Sequence, residues 1–390
     1  MIQLLRIVYE FYPIKGGSVT HIIELSKNIN KNVDQRIIAP DFGEECKCKE
    51  FDNRFEVPII RIKFKPIKGI FHIPVTPLNQ LIYLFKVFLY LRKTKKFDLI
   101  QVHYMEAAAV CIMFKKIRGV PVVAMMHGAD DAYSRLSGFQ EAILAKLFKP
   151  DHAFILDDGS IAPEKFKKIW KNRVTVVYHG IDTNFFKAKP KNKELIEKSK
   201  LTESDFIILS TSSLIPVKNI DLAIKSFGIF LNKTKTNSCL LLAGEGTLKD
   251  ELVKLAKEYS LEKNVKFLGG VSIDLITEYL SIADVVIATS LYSNLNRSVL
   301  EAMASGKPIV VFDSGGTSKL IRHMENGLLV KSGDIDYFAE QLKLLYENPE
   351  LGKTLGKNAR KTIIKERSWE TRIKKELDVY EKIICEKNGK

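Results

Sequence analysis

The sequence predicts an α/β protein made of two doubly wound parallel sheets, one in each half of the chain. Three observations carry this. Apolar, β-branched-rich runs of about four to eight residues recur from end to end. Amphipathic stretches of about 10–15 residues, the length of a crossover helix, separate them. Several runs also end in Gly- or Ser-containing turns that pass straight into a helical pattern, as in IVYEFYPIKGGSVTHIIELSKNI. A chain of 390 residues exceeds one ordinary core, so two domains of about 150–200 residues are expected.

In the first half the expected strands are LLRIVYEF, QRIIAP, PIIRIKF, DLIQVH, PVVAMMHG, HAFIL and VTVVYHG. In the second they are FIILSTSSL, CLLLAGEG, VKFLGG, VVIATS, PIVVFD and GLLV. Continuous apolar runs of this length suit strands buried on both faces. Periodicity lapses at HGIDTNFFKAKPKNKE, residues 179–194, where Lys and Pro cluster. This sets an N-terminal domain at 1–180 and a C-terminal domain at 181–368. Beyond GLLV the pattern is helical, in stretches beginning near Asp334, Pro349 and Trp369. The last, 369–387, carries an apolar stripe that must pack against a partner.

Composition narrows the class. With 46% hydrophobic and 27% charged residues the chain reads as globular. Five cysteines, with Cys46 and Cys48 the one close pair, argue against a disulfide framework or zinc site and suit a reducing cytoplasm. The start MIQLLRIVYEFYP lacks a signal-peptide pattern, and Lys86 interrupts the most apolar stretch, LIYLFKVFLYL. The net charge is +15, and residues 57–97 hold nine Lys/Arg and no acid. Such a segment suits an anionic membrane surface, although a solvated basic face has the same composition. No nucleic-acid module accompanies the charge, so no nucleic-acid partner is expected.

Ligands of open parallel sheets bind at the carboxyl ends of the strands, and four motifs fall there. Lys15-Gly16-Gly17-Ser18 could bring backbone amides and a helix N-terminus to a phosphate. His127-Gly128-Ala129-Asp130 closes the strand PVVAMM and could orient a polar group in the cleft. Ser212-Ser213-Leu214-Ile215-Pro216-Val217-Lys218-Asn219 offers hydroxyls and a lysine for a diphosphate. Ser293-Asn294-Leu295-Asn296 is a polar turn before a helix that places Glu301 one turn in, where a carboxylate can accept from ribose hydroxyls. Alone, each is equally an ordinary loop or surface residue.

Together and in order, the blocks VVYHGIDTNFF, LLAGEGTLKDEL, VKFLGGV, YLSIADVVIATS, LEAMASGKPIVVFDSGGTSKLI and ENGLLV resemble the retaining GT-B glycosyltransferases of family 4, the "group 1" enzymes. The similarity covers nearly the whole chain and is strongest over 207–331. It implies an acceptor-binding N-terminal domain and a nucleotide-sugar-binding C-terminal domain, both Rossmann-like, with the final helix returning to the first. It further implies a cytoplasmic, metal-independent transferase of hexosyl type that uses a UDP- or GDP-sugar as co-substrate and no other cofactor. By position, Gly16 and Gly17 match the loop near the donor diphosphate and His127 the active-site histidine. Lys218 matches the lysine facing the leaving diphosphate, and Glu301 the ribose glutamate. Asn294, Leu295 and Asn296 stand where the family has Gly-Phe-Gly.

Two departures stand out: Ser213 replaces the family's diphosphate-binding arginine, and Ser293 replaces the first glutamate of its E-x7-E pair. His179 also stands where Asn is usual. Arg297 is a candidate to restore the missing positive charge, and Ser293 bears on sugar choice. A lipid-linked or envelope glycan is the expected acceptor, reached from the inner membrane face through 57–97. The competing readings are a non-catalytic nucleotide-sugar-binding scaffold and a GT-B nucleotide-sugar epimerase.

Overall fold

The computed structural model describes residues 1–14, 17–41, 45–63, 76–93, 97–103, 119–126, 145–147, 149–157, 162–291 and 297–388. The chain forms two compact units, Met1–His179 with Arg372–Lys390, and Gly180–Thr371.

The first unit is built on seven parallel strands: β1 (Ile2–Ile7), β2 (Val33–Asp41), β3 (Ile59–Lys63), β4 (Leu99–His103), β5 (Val122–Met126), β6 (His152–Leu156) and β7 (Val174–Val177). Their order is β3-β2-β1-β4-β5-β6-β7. Alternate β1 residues serve opposite faces. Leu5 and Ile7 pack with Tyr83, Val87 and Trp170, while Val8, just past the strand's end, faces the other way and joins Val19, Ile22 and Ile37. The helix Gly17–Ile29 earns its place by burying Ile22, Leu25, Ser26 and Ile29, one stripe at helical spacing.

A buried polar seam underlies the last helix, Trp369–Asn388, which belongs to this unit from Arg372 onward. Arg372 Nη2 pairs with Glu376 Oε1 at 2.5 Å, and Tyr380 Oη donates to Glu376 Oε2 at 2.6 Å. Gln101 Nε2 donates to Tyr380 Oη at 2.9 Å, and Gln101 Oε1 accepts from Arg6. Arg6 Nε continues the chain to Gln35 Oε1 at 3.0 Å. Arg6 and Glu376 are fully buried and Arg372 is 3% exposed, so the Arg372–Glu376 pair and the bonds along the seam offset part of the cost of burying these charges.

The second unit has six parallel strands: β8 (Phe206–Ser210), β9 (Ser238–Ala243), β10 (Val265–Gly269), β11 (Val285–Ala288), β12 (Ile309–Asp313) and β13 (Leu328–Lys331). Their order is β10-β9-β8-β11-β12-β13. Phe206, Ile208, Leu240 and Leu242 fill one layer and Ile207, Leu209, Cys239 and Leu241 the other, so helices cover both faces. Each of the thirteen apolar runs holds a strand, and among the described residues both sheets are parallel throughout. In each unit the winding reverses next to the first strand, between β1 and β4 and between β8 and β11, which is where such sheets open a crevice.

Candidate active site

In the second unit, Ser213 and Lys218 follow β8 and Glu301 follows β11, on either side of the reversal point. The loop after β8 is held by its neighbour. Leu214 N–H donates to the Glu245 carbonyl at 2.9 Å, and Leu248 N–H to the Leu214 carbonyl at 3.0 Å. A Cβ on Gly244 would lie 2.9 Å from the Ser212 carbonyl carbon and closer still to its oxygen. One on Gly246 would lie 2.9 Å from Leu214 Cα, with the Leu214 carbonyl nearer. Close backbone approach, not a left-handed φ, requires both glycines. Within that cradle Ser212 and Leu214 are buried and Ser213 is exposed.

Lys218 closes a single 3-10 turn, Pro216–Lys218, which Pro216 begins. Asn219 then adopts a left-handed φ of 48° and starts the helix Ile220–Thr234. This bend turns the carbonyls of 217–219 toward the end of β11, where side chains receive them. Thr289 Oγ1 donates to the Asn219 carbonyl at 2.9 Å and the Lys218 carbonyl at 3.2 Å, and Ser290 Oγ to the Val217 carbonyl at 2.7 Å. Leu291 N–H donates to Asn219 Oδ1 at 3.3 Å, and Ser314 Oγ, just past β12, to the Ser290 carbonyl at 2.8 Å. Three strand ends are thus joined under the lysine. Burial lowers the Lys218 pKa from its ordinary value; an anionic ligand would favour its charged form and reverse that effect.

Glu301 lies on the helix Arg297–Ala304, whose Val299, Leu300, Ala302, Met303 and Ala304 are buried in the core. It is itself 9% exposed. Helical side chains lean toward the N-terminus, and the Glu301 carboxylate reaches back to accept from Arg297 Nε at 2.8 Å. Arg297 is therefore engaged with Glu301. Gly306, at φ 70°, ends the helix and returns the chain to β12.

In the first unit, Gly17 is the first residue of its helix, just beyond the carboxyl end of β1. The segment preceding it is anchored from β3. Arg61 pairs with both Asp52 oxygens, at 2.9 and 2.7 Å, and donates through Nη1 to the Tyr12 carbonyl at 2.7 Å. One turn into the helix, His21 meets His179 edge to face, with ring centroids 5.0 Å apart. Gly16, His127, Ser293, Asn294, Leu295 and Asn296 lie outside the described residues. Sequence reasoning passed over Gly244, Gly246, Asn219, Thr289, Ser290 and Arg61. The AGEG and IATS blocks were the available signals for Gly244, Gly246, Thr289 and Ser290; Asn219 closed the Lys218 motif with no role given to it, and Arg61 gave no signal. Among the described residues no group of three or more His, Cys, Asp or Glu could hold a metal ion.

The profile of "Glycosyltransferase Family 4" matches residues 15–185, and that of "Glycosyl transferases group 1" matches residues 191–362. The chain belongs to the group 1 glycosyltransferases. EpsD of Bacillus subtilis, which bears a glycosyltransferase designation, is 34% identical over 52% of this chain and 53% of its own length. The match thus spans about half of that relative. The N-acetyl-alpha-D-glucosaminyl L-malate synthase of Bacillus anthracis is 26% identical over 75% of this chain and 77% of its own. The solved Anabaena protein HepE, in complex with UDP and glucose, superposes with a TM-score of 0.76 at 21% identity, covering 98% of this chain and all of that one. This glycosyltransferase has the GT-B fold.

Proposed function

We propose that the protein moves a sugar from a nucleotide sugar to a glycan or lipid-linked acceptor, with retention at the anomeric carbon and without a metal ion. One observation carries the reading. Lys218 and Glu301 flank the reversal point of the second sheet, and hydroxyl and backbone bonds fix the Lys218 loop from β9, β11 and β12. In this reading Glu301 accepts from the ribose and Lys218 faces the diphosphate. A half-buried ammonium gains most from charge that accumulates on a departing diphosphate, and so stabilises the transition state more than the ground state. The family resemblance would assign the Gly16-Gly17 amides and Ser213 to the phosphates, His127 to the transferred sugar, and Ser293, Asn294, Leu295 and Asn296 to its hydroxyls.

The UDP complex of the Anabaena neighbour makes a UDP-sugar the first donor to try. A thermal-shift panel of UDP- and GDP-sugars should show one saturating donor that raises the melting temperature. Lys218→Gln should lower kcat about a hundredfold, on the scale of other lost transition-state donors. A panel with no stabilising donor would refute the nucleotide-sugar reading. Binding without transfer to mixed cell glycolipids would instead favour a scaffold.

We place the acceptor at the inner face of an anionic membrane. The helix Thr76–Leu91 exposes Phe85 and Leu89, at 60% and 42%, beside Lys86 and just before Arg92 and Lys93. Apolar anchors next to cations suit an interfacial surface. Arg61 is spent on Asp52, so it adds nothing to that patch. Flotation should recover the protein with vesicles rich in phosphatidylglycerol and not with phosphatidylcholine alone; equal recovery would sink the electrostatic part.

A further inference from the structure

The helix Pro349–Glu366 carries a charge pattern that its own stability does not ask for. Its inward side is fixed. Leu355, Ala359 and Ile363 are buried in the core, and Arg360 donates to the Phe186 and Thr183 carbonyls at 3.0 and 3.2 Å. Lys353, Lys357, Lys361 and Lys365 are left on the outer side, all exposed and each one turn from the next. At the helical rise they form a row about 18 Å long. Like charges at this spacing destabilise a helix. Elsewhere in the unit the same spacing joins a lysine to an acid: Lys198 to Glu194, Lys225 to Asp221 and Lys343 to Glu347. Along the row, among the described residues, Lys353 alone has an acid, Glu350 at 2.6 Å, and Lys357, Lys361 and Lys365 have no ion pair.

Two apolar side chains accompany the row. Ile364 follows Lys361 by three positions and Lys357 by seven, so it shares their face, and it is 46% exposed. Met324 is 48% exposed at a left-handed φ of 64°, which Gly or Asn would adopt at less cost. Its turn is fastened to the helix. Asn358 Nδ2 donates to the Glu325 carbonyl at 2.9 Å, and Asn326 Nδ2 to Thr362 Oγ1 at 3.1 Å. The acid of that turn, Glu325, is taken by Arg322 at 2.9 Å. We propose that this outer face, the lysine row with Ile364 and Met324, docks on the headgroups of an anionic bilayer. The inference extends the membrane reading above to the second unit and rests on it for the partner, on different residues. A bilayer surface receives cations at its phosphates and apolar side chains just beneath them. A soluble polyanion would engage the lysines and leave Ile364 and Met324 in water. Because the apolar stripe of the helix is spent on the core, the contact is superficial and draws mainly on charge, so salt weakens it.

The test is co-sedimentation with vesicles of phosphatidylcholine alone and of phosphatidylcholine with an equal share of phosphatidylglycerol, at low and at physiological salt. Each basic residue near an anionic surface contributes about fivefold in affinity. The combined Lys357→Gln, Lys361→Gln, Lys365→Gln variant should therefore bind the anionic vesicles about a hundredfold less tightly, with an unchanged or higher melting temperature. Lys254→Gln, Lys257→Gln, Lys263→Gln removes the same charge from an exposed surface where Glu251, Glu258 and Glu262 intervene, and should stay within about threefold of wild type. Met324→Asn, which suits the left-handed backbone, combined with Ile364→Ser should weaken binding severalfold without loss of stability. Equal losses from the two triple variants, or none from the apolar double variant, would overturn the proposal. So would a row variant that binds vesicles as wild type does and loses only polyphosphate, a soluble polyanion offered in parallel. If the row variant keeps its vesicle binding while Phe85→Ser with Lys86→Gln loses it, the row is idle and the membrane reading of the first unit stands. A wild type that sediments equally with both vesicles ends both.

Discussion

Gly244 offers the sharpest test of how the donor loop is held. A methyl group there would sit 2.9 Å from the Ser212 carbonyl carbon and 3.3 Å from Ser213 Cα. Carbon atoms in contact settle at about 3.5–4.0 Å, so Gly244→Ala demands a shift of about 0.6 Å or more. Both sides of the clash are backbone and no rotamer change relieves it. The loop after β8 must move, and with it Ser213 and the Pro216–Lys218 turn. Overpacking of this kind costs about 1–3 kcal/mol, and the rigidity of both partners puts the expected value near the top. If the loop faces the diphosphate as proposed, displacing it should further cost about tenfold or more in turnover, since errors of about 1 Å in positioning can cost a hundredfold. Urea unfolding and initial rates with the donor found in the panel measure the two effects. Gly352→Ala is the control. Its Cβ would meet Pro308 Cγ at an ordinary 3.6 Å inside the helix Pro349–Glu366, so a gain of about 0.5–1 kcal/mol is expected. A Gly244→Ala protein within about 0.5 kcal/mol of wild type, with unchanged turnover, would refute the cradle argument.

Two further outcomes follow from buried charge. Glu376→Leu leaves Arg6 and Arg372 enclosed without a counter-charge and strips Tyr380 of its acceptor. It should cost about 3–5 kcal/mol, and a loss under about 1 kcal/mol in urea unfolding would show the seam to be dispensable. Burial lowers the Lys307 pKa to about 8 from the ordinary 10.5. Between those values the unfolded chain binds a proton that the fold does not, so stability should rise with pH across the interval by about 3 kcal/mol. Lys307→Met should remove that rise relative to wild type, and parallel profiles for the two proteins would contradict it.

The fold was legible because burial on both faces leaves continuous apolar runs, and such runs survive in a single sequence. The site was legible only in part, and the reason is geometric. Lys218 and Glu301 stand out as charged residues at strand ends. What holds Lys218 is a set of carbonyls turned by the left-handed Asn219 and met by Thr289 and Ser290, about 70 residues on. No local pattern announces that a threonine will meet a carbonyl at such a distance. The polar seam was hidden for a similar reason. Arg6, Gln35 and Gln101 read as interruptions in apolar strands until Tyr380, 279 residues from Gln101, supplies the missing partner. Arg61 counted toward a basic surface until its bond to Asp52 removed it.

The resemblance places an arginine where this chain has Ser213, and the loop's own bonds show what that difference leaves untouched. Where a site decays, the loop that served it is freed to drift, because nothing else depends on its shape. Here the shape does not depend on the side chain at 213 at all. Leu214 is pinned through its N–H and its carbonyl to the loop after β9, while Gly244 and Gly246 admit only a backbone this close. Leu214 is also 1% exposed and sits in the same apolar layer as Ile208. Ser213, between the buried Ser212 and Leu214, is exposed. A serine here in place of the arginine that the resemblance implies would therefore alter charge at one point and leave the loop after β8 in place. Restoring the cation at that point, as in Ser213→Arg, should raise affinity for the diphosphate without a change in stability beyond about 0.5 kcal/mol. A loop shaped by its former arginine would show the opposite, a protein whose stability shifts while its binding does not.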